Sequence, residues 1–592
     1  MIAEASDRRP NPHKRRRLQT LENTVNSRGS HVNGQRADGT PVATRTGSLT
    51  SRLTDAVATL ALVLLFATPS SNGAQEQHQI ADSETRSEAP ARQHHHYKLI
   101  DIGTFGGPQS YFNNLHLGDR FGFATAFYGF AQVSNRTRVL VGFADTATPD
   151  PYSANPLFCY VPDCFIAHAY KWHDGVRTDL GVLPGGASSA AFWINSSGVI
   201  AGNSQNGQTD PVVPGLPELR AVIWQHGQIE DLGTIGGSSS FTQAINDRGQ
   251  VAGVALNGVV DPFSFYYQFL ICFPSLALPP QFQVCPPSAT QTRAFIWDTE
   301  NGMEDIGTLG GPDAAGFLIN NRGQVAGFSY TDSVPADPNT NLPTTHPFLW
   351  ERGKGMRDLG TFGGATTASV NGLNERGEVV GGLDLPGDQQ IHPFLWDGKK
   401  LIDLIAPPFG GAANGEAAWI NEAGEVVGLA GLPVACPGSP QSAAEVQHAF
   451  LWRKGVMSDL GALPGVLNTE ANFINSKSQV VGDAFACDFS VFTATLWENG
   501  SVVDLNTLVP ADTPLYLFMA SFIDDQGQIG ALGSLANGEW HAVLLIPCDE
   551  AQPDTEGRDY RVAQAVGPTP ARPRQAREVH PPWGFLHGQK QN

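Results

Sequence analysis

Short apolar runs separated by polar, glycine-rich turns recur along the chain from residue 97 to residue 548. The most regular run ends in tryptophan, as in "HPFLW" at 346–350. Nearly every position in it is apolar, which predicts a strand buried on both faces. Eight copies begin at residues 168, 220, 293, 346, 392, 448, 493 and 541.

Two further strand signals accompany each of these runs. Before it lies an apolar stretch followed by Asn-x-x-Gly and β-branched residues, as in "QAINDRGQVAG" at 243–253. Asn and Gly tolerate left-handed backbone angles, so this pattern predicts a β-hairpin. After the run comes a strand that ends in an aspartate. The eight aspartates are Asp101, Asp179, Asp231, Asp305, Asp358, Asp403, Asp459 and Asp504.

Four short strands per repeat predict an all-β fold, a single eight-bladed β-propeller, with seven blades and one displaced unit as the alternative. The first copy in the chain is a lone fourth strand at 97–107, and the last unit lacks a fourth strand. We therefore expect 97–107 to complete the last blade and close the ring, because closure leaves no open strand edge.

These repeats resemble the HAF repeat family of extracellular bacterial proteins, whose pattern is His-Ala-Phe-Leu-Trp, Asp-Leu-Gly and Ile-Asn-x-x-Gly-x-Val-x-Gly. The resemblance covers 97–548 and implies an exported repeat protein. It implies no catalytic residue. The sequence departs from the pattern at Thr493 in place of the histidine, at Asn506 in place of the glycine, and at "LIAPPFGG" in 404–411.

The tryptophan and aspartate recur in nearly every unit and the histidine in five of the eight, which favours structural roles for all three. We expect the tryptophans to pack between blades and the aspartates to accept backbone N–H groups at strand ends. The sequence has no Gly-x-Ser-x-Gly elbow, and its cysteine spacing is not that of a zinc site. The "GTFGG" segments lack the lysine of a phosphate loop, so their glycines are predicted to form turns. No catalytic residue, metal or cofactor is assigned.

The formal net charge of −20 disfavours nucleic acid and anionic lipid as partners. Residues 1–74 are predicted to be an N-terminal extension with a signal peptide, whose apolar run at 56–67 is too short for a comfortable membrane span. Cleavage after Ala74 would leave no membrane span, and an uncleaved anchor is the alternative. Residues 75–96 are expected to be a linker, and 549–592 a disordered tail.

Seven cysteines in an exported protein suggest disulfides. The predicted pairs are Cys159–Cys164 and Cys272–Cys285, with Cys436–Cys487 as a further pair and Cys548 left unpaired.

Three insertions break the repeat, at 108–129, 146–166 and 257–292. They are expected in second-to-third or fourth-to-first connections, which share one face of the ring. Aromatic side chains concentrate in the largest of them, where they could bind a ligand or fold back and plug the central channel. The candidate ligand-binding residues are Tyr266, Tyr267, Phe269 and Phe273, with Phe282 nearby.

The sequence thus favours an exported, non-enzymatic scaffold for binding or adhesion at the bacterial envelope. Its ligand would be an unknown carbohydrate or protein, and the protein is expected to be monomeric. A polysaccharide-acting enzyme on the insertion-bearing face and a purely structural envelope protein are the alternatives. The expected location is secreted or cell envelope, with N-terminal anchoring through 56–67 as the alternative.

Overall fold

A computed structural model describes residues 94–548, apart from 113–131, 273–282, 284, 287–288, 337–340, 365–368, 388–389, 411–413 and 438–444. The expected signal peptide, linker and disordered tail lie outside the described residues, apart from the last residues of the linker. In the part of the chain that is described, no helix has the length and apolar character needed to cross a membrane.

The described chain forms eight four-stranded antiparallel sheets arranged in a ring, so the eight-bladed propeller is confirmed. The strands in chain order are β1 (His96–Asp101), β2 (Gly106–Tyr111), β3 (Leu140–Pro149), β4 (Phe165–His173), β5 (Val176–Asp179), β6 (Ser189–Ile194), β7 (Ile200–Thr209), β8 (Pro217–Gln225), β9 (Gln228–Asp231), β10 (Ser240–Ile245), β11 (Val251–Asp261), β12 (Ala289–Asp298), β13 (Gly302–Asp305), β14 (Ala314–Ile319), β15 (Gln324–Pro335), β16 (Pro343–Glu351), β17 (Gly355–Asp358), β18 (Gly372–Leu373), β19 (Val379–Asp384), β20 (Ile391–Trp396), β21 (Leu401–Asp403), β22 (Gly415–Ile420), β23 (Val426–Ala435), β24 (Glu445–Arg453), β25 (Val456–Asp459), β26 (Asn468–Ile474), β27 (Val480–Phe485), β28 (Phe492–Glu498), β29 (Ser501–Asp504), β30 (Tyr516–Ile523), β31 (Ile529–Ser534) and β32 (Trp540–Cys548). Short helical turns lie at Pro156–Phe158, Phe265–Tyr267, Gln268–Cys272 and Leu505–Thr507.

Blades one to seven each use four consecutive strands, from β2–β5 to β26–β29, and blade eight combines β30, β31 and β32 with β1. The first strands of several successive blades pack against one another, which places these strands nearest the central axis. The tryptophans of the third strands are mostly buried, and the guanidinium of Arg357 in blade four lies 4.5 Å from the centroid of the Trp396 ring in blade five, as expected for packing between blades. Those less than a tenth exposed are Trp172, Trp224, Trp297, Trp350, Trp396 and Trp497.

Strand β1 closes the ring by antiparallel pairing with β32, from His96 opposite Cys548 to Asp101 opposite Val543. The buried side chains of Tyr97 and Leu99 join the apolar cluster that blades seven and eight share. Ile102 is buried in the cluster that includes the first blade, and Ile100 packs against that cluster half-buried. The predicted closure by the N-terminal strand is therefore confirmed.

Alternating strand direction gives the ring two distinct faces. We call the face with the first-to-second and third-to-fourth hairpin turns the turn face. The insertion face carries the second-to-third connections and the links between blades. The described parts of the segments 146–166 and 257–292 lie on the insertion face, as expected.

The third insertion, at 108–129, does not lie in a connection of the insertion face, so that prediction is wrong. β2 ends at Tyr111, and the chain returns to the same inner strand position at Ser134, which bridges to Leu140. The segment 113–131 therefore interrupts the innermost strand of blade one and does not link two blades. The apolar residues just before Asn135 look like a complete strand in the sequence, whereas 106–112 supplies its first half.

A ladder of asparagine side chains links the turn face from blade to blade. Each Nδ2 donates to the backbone carbonyl of the matching residue in the next blade, over 2.8–3.3 Å. Each Oδ1 accepts backbone N–H groups of its own turn, for example that of Val199 onto Asn195. The donors are Asn135, Asn195, Asn246, Asn320, Asn374, Asn421 and Asn475. In blade eight an aspartate, Asp524, takes this position and has no amide to donate.

Candidate functional site

The recurring histidines lie at the root of the insertion face, each beside the aspartate of its own outer strand. The Nδ1 to carboxylate distances are 2.8–2.9 Å in five blades. The pairs are His168–Asp179, His346–Asp358, His392–Asp403, His448–Asp459 and His541–Asp101. In blade seven, Thr493 instead meets the Tyr516 hydroxyl at 2.7 Å.

The same aspartates fix the chain as it leaves the outer strand. The Gly181 backbone N–H donates to Asp179 Oδ1 at 2.7 Å, and seven other blades repeat this bond. Burial raises the pKa of the Asp179 carboxyl, but the hydrogen bonds from His168 and Gly181 outweigh it and bring the pKa below its usual value. The predicted structural roles of the histidines and aspartates are confirmed.

Pairs of glycines anchor the links between blades to the second strand of the next blade. Gly236 has φ +109°, which favours glycine, and Gly237 has no room for a side chain. A Cβ on Gly237 would lie 2.5 Å from the carbonyl carbon of Leu256, whose oxygen accepts the Gly237 N–H at 2.9 Å. These glycines therefore serve turn geometry and close backbone packing.

Five blades carry second-to-third hairpins that extend beyond the body of the ring. Their second strands, β3, β7, β11, β15 and β23, change from buried to exposed residues towards their ends. Val260, Val334 and Val434 near these ends are 69%, 66% and 56% exposed. The insertion face therefore presents β-branched side chains on projecting hairpins.

Buried aspartates hold the loops that follow the second strands of three of these hairpins, a role that sequence reasoning missed. Asp150 accepts the backbone N–H groups of Tyr152 and Tyr160. Asp210 accepts those of Val212 and Val213 through one oxygen. The sequence signal is an Asp-Pro pair after each second strand, at 150–151, 210–211 and 261–262.

Two pairs of neighbouring carboxyl groups lie beneath the insertions, and all of them are buried except the half-buried Asp163. Burial and the nearby Asp163 carboxylate raise the pKa of Asp145 to about 10. Burial and Asp261 likewise raise the pKa of Asp313, whose two oxygens accept the N–H groups of Thr292 and Phe265. In each pair the neighbouring carboxyl group and burial both favour the protonated form, because two adjacent carboxylates repel each other in a buried site.

The candidate tyrosines pack the largest insertion onto the ring. Tyr266 and Tyr267 are 4% and 1% exposed. The Tyr266 ring lies 5.1 Å from that of Phe241, and the Tyr267 hydroxyl donates to Asp210 Oδ2 at 2.8 Å. The side chains of Phe269, Phe273 and Phe282 lie outside the described residues. Ligand contact by this loop stays a prediction, and it would require the two tyrosine rings to become accessible.

The structure contains the three predicted disulfides. Cys159–Cys164 and Cys272–Cys285 each close a loop within one insertion. Cys436–Cys487 joins the hairpins of blades six and seven, with the two Cα atoms 5.7 Å apart. Cys548 is an exposed free cysteine.

Three exposed apolar residues lie next to the groups at the disulfide of blades six and seven: Val434 precedes Cys436 by two residues, Phe489 follows Cys487 by two, and Leu467 precedes Asn468. We call Val434, Leu467 and Phe489 the apolar patch; they are 56%, 42% and 56% exposed. The Phe489 ring stacks on those of Phe485 and Phe492, with centroids 5.5 and 6.3 Å away. The Phe489 ring is therefore held by two neighbouring rings.

Asn468, the neighbour of Leu467, contacts the disulfide. Its amide nitrogen lies 3.6 Å from the sulfurs of both Cys436 and Cys487. A single asparagine thus ties the link between two blades to the hairpins on either side.

Basic residues are missing from the connections of the insertion face. None of the described residues in its second-to-third hairpins and blade-to-blade links is lysine or arginine. Acidic residues are present there, with Asp332, Asp488 and Asp512 exposed. In the described ranges, no three histidine, cysteine or acidic side chains converge to hold a metal ion. The arginines that reach these links come from neighbouring strands and bond to the chain itself, Arg177 to the carbonyls of Ile102 and Thr104 and Arg293 to that of Pro312, so the exposed charges of the connections are acidic.

No family model and no curated protein matches the chain. Among solved structures, it is similar to the acylaminoacyl peptidase of Pyrococcus horikoshii, with 11% identity and a TM-score of 0.34, over 71% of this chain and 59% of the peptidase. Hydrazine synthase of Kuenenia stuttgartiensis matches with 10% identity and a TM-score of 0.30, over 63% of this chain and 45% of the synthase. The chain thus spans less than two thirds of either protein.

TolB from Acinetobacter baumannii also matches, with 10% identity and a TM-score of 0.25, over 76% of this chain and 96% of TolB. Likenesses at these values carry no information about activity.

Proposed function

We propose that the protein is an exported, non-enzymatic β-propeller that binds a carbohydrate or protein partner at the bacterial envelope through its insertion face. The observation that carries this proposal is the set of five projecting hairpins with exposed residues, in three of which a buried aspartate holds the connecting loop. A pre-organised surface loses little conformational entropy when it binds, so its contacts contribute to affinity.

The chemistry of the face supports binding over catalysis. Glycoside hydrolysis needs two carboxyl groups that both reach the substrate. Asp313 is fully buried and accepts two backbone N–H bonds, and its neighbour Asp261 is only 3% exposed. The repeated histidines and aspartates bond to each other within single blades.

Three disulfides support export, because such bonds form and persist in oxidising compartments. The apolar run at 56–67 would be the export signal. The proposed location is therefore the cell envelope or the medium.

The test compares two sets of valine-to-serine variants. The triple variant Val260→Ser, Val334→Ser and Val434→Ser alters the projecting hairpins. The double variant Val176→Ser and Val456→Ser alters valines that are 64% exposed on the turn face and serves as the control. Glycan-array binding and capture of purified envelope components would be measured for both variants and the wild type.

We expect the hairpin variant to lose binding by about tenfold or more, because each buried apolar group contributes on the order of 1 kcal/mol, while the control binds like the wild type. Equal losses in both variants would contradict a binding role for the insertion face. Turnover of a polysaccharide by the wild type would show that the protein is an enzyme. Retention in the envelope without any binding would favour a purely structural role.

A further inference from the structure

The apolar patch presents an aromatic ring at a backbone conformation that is unusual for it. Phe489 has φ +58°, a left-handed angle that is uncommon for bulky residues. The ring is nevertheless more than half exposed, and the Cys436–Cys487 disulfide and the stacked phenylalanines brace its hairpin. A conformation that costs free energy and exposes an apolar ring points to a binding role.

The surroundings of the patch restrict the charge of its occupant. Asp488 precedes Phe489 and is exposed, and the half-buried Glu445 lies opposite Ala435, the neighbour of Val434; Asp512 is exposed elsewhere on the same face, in the link from blade seven to blade eight. No described connecting segment of this face supplies a lysine or arginine. The complementary occupant is a basic segment with apolar side chains.

The chain itself contains such a segment near its C-terminus, at 571–592, "ARPRQAREVHPPWGFLHGQKQN". Its only acidic residue is Glu578. Its basic and apolar anchor residues are Arg572, Arg574, Arg577, Lys590, Trp583, Phe585 and Leu586.

The connection to the ring is long enough for this segment to reach the insertion face. β32 runs from the insertion face at His541 to the turn face at Cys548, and a nine-residue strand is about 30 Å long. The 22 residues from 549 to 570 can span about 70 Å when extended. The segment can therefore return along the outside of its own ring.

We propose that residues 571–592 dock on the insertion face of their own ring, with the Trp583 and Phe585 rings on the apolar patch and the arginines beside its exposed carboxylates. The segment would occupy the surface that the proposed partner uses and would compete with that partner. To that extent the inference rests on the proposed function, although docking itself can be measured without any partner.

The test uses the full chain and a chain that ends at Pro570, which keeps all eight blades intact. A fluorescein-labelled synthetic peptide of residues 571–592 would be titrated with each, and binding followed by fluorescence anisotropy. We expect the peptide to bind the shortened chain and to bind the full chain about tenfold more weakly, because the internal segment occupies the site at high effective concentration. Binding to the shortened chain should also weaken as salt is raised from about 50 to about 300 mM.

Substitutions in the shortened chain locate the site. Phe489→Asn removes the ring and suits the positive φ, so the fold should be kept while peptide affinity falls about tenfold. Val434→Ser should weaken binding less. Val456→Ser on the turn face is the control and should leave affinity unchanged. The melting temperature of each variant would verify that it is folded.

Three outcomes would overturn the proposal: no peptide binding to the shortened chain, equal binding to both chains, or unchanged affinity in the folded Phe489→Asn variant. None of them affects the proposed partner binding, which is measured with the hairpin variants. Conversely, peptide binding without any external ligand would leave this inference intact and weaken the proposed function.

Discussion

The two faces of the ring are built on opposite principles. The turn face repeats nearly the same short turns eight times and carries charges of both signs, such as Arg322 and Glu375. Hydrogen bonds from asparagine side chains connect its turns from blade to blade. The connections of the insertion face vary in length from blade to blade, and those that are described contain no lysine or arginine. The repeated residues therefore serve the ring, while the residues that break the repeat are free to serve binding.

Closure of the ring is the one feature on which both faces depend, so its loss should have the largest effect. Deleting 97–107 removes the edge strand of blade eight and the buried side chains of Tyr97, Leu99 and Ile102. Each buried apolar side chain contributes about 2–5 kcal/mol. We expect a large fall in melting temperature and association through the exposed edge of β32, measured by calorimetry and light scattering.

A chain lacking 97–107 that stays monomeric and melts like the wild type would contradict this role of β1. Val176→Ser, an exposed change on the turn face, provides the comparison for an unperturbed ring.

Glycines on the two faces should respond differently to substitution. Gly237 on the insertion face lacks space for a Cβ, whereas Gly249 on the turn face has open space around it but a φ of +77°. Gly237→Ala should therefore cost several kcal/mol, and Gly249→Ala only about 1 kcal/mol. Gly249→Asn should be nearly neutral, because asparagine accepts that backbone angle.

Chemical denaturation of these three variants measures the difference. If Gly249→Ala destabilised the protein as much as Gly237→Ala does, the two faces would not differ in how tightly their backbones pack.

Repetition made most of the fold predictable from the sequence. Because each strand pattern occurs eight times, a strand that is ambiguous in one copy can be identified from the others. The fourth strands number eight only when the N-terminal strand with Asp101 is included, which predicted the closure of the ring. The disulfides followed from the close spacing of their cysteines, or from equivalent positions in adjacent blades. Single events were harder to predict, and the interruption of the first inner strand after Phe112 was missed because it occurs in one blade only.

The candidate site was less predictable because its contacts join segments that are distant in sequence. Phe489 and Tyr267 are both aromatic residues in loops, and the sequence does not reveal which of them is exposed. In the structure the Phe489 side chain is exposed and the Tyr267 side chain is buried. Asn246 reads as a turn residue, but its amide also bonds to the next blade, at Asn320. The Asp-Pro signal at 150–151 was visible in the sequence, although its role depends on hydrogen bonds that only the structure reveals.

Buried carboxyl pairs should make the insertion face sensitive to alkaline pH. The ordinary pKa of the Asp145 carboxyl is 3.8, and burial beside Asp163 raises it to about 10 in the folded protein. A raised carboxyl pKa means that the folded state binds the proton more tightly, so stability is lost as pH rises from about 4 to about 10. The wild-type melting temperature should therefore fall between pH 7 and pH 10.

Asp145→Asn should reduce that fall, because the amide can accept the Gln109 N–H and donate to Asp163 without a proton to lose. At about pH 9 we expect the variant to be more stable than the wild type, because the raised pKa of Asp145 makes the wild type lose stability as pH rises. Asp332→Asn, an exposed change on the same face, should follow the wild-type profile. Identical pH profiles for all three proteins would show that the fold does not favour the protonated form of Asp145.

The smallest expected effect concerns the one gap in the asparagine ladder of the turn face. Asp524 accepts the Gln526 and Gln528 N–H groups, as the asparagines do in their own turns, but it cannot donate to Asn135 of blade one. Burial also raises the pKa of its carboxyl, so the ionised form is disfavoured there. Asp524→Asn would keep both accepted bonds, add the missing donor and remove a half-buried charge. We expect a gain of about 1 kcal/mol, the usual net value of one hydrogen bond, seen as a higher melting temperature at neutral pH.

Asp512→Asn on the insertion face removes an exposed charge without adding a bond between blades, so it should leave the melting temperature unchanged. If Asp524→Asn were no more stable than this control, the ladder would not stabilise the seam between the last and first blades, and the turn face would owe its order to its hairpins alone.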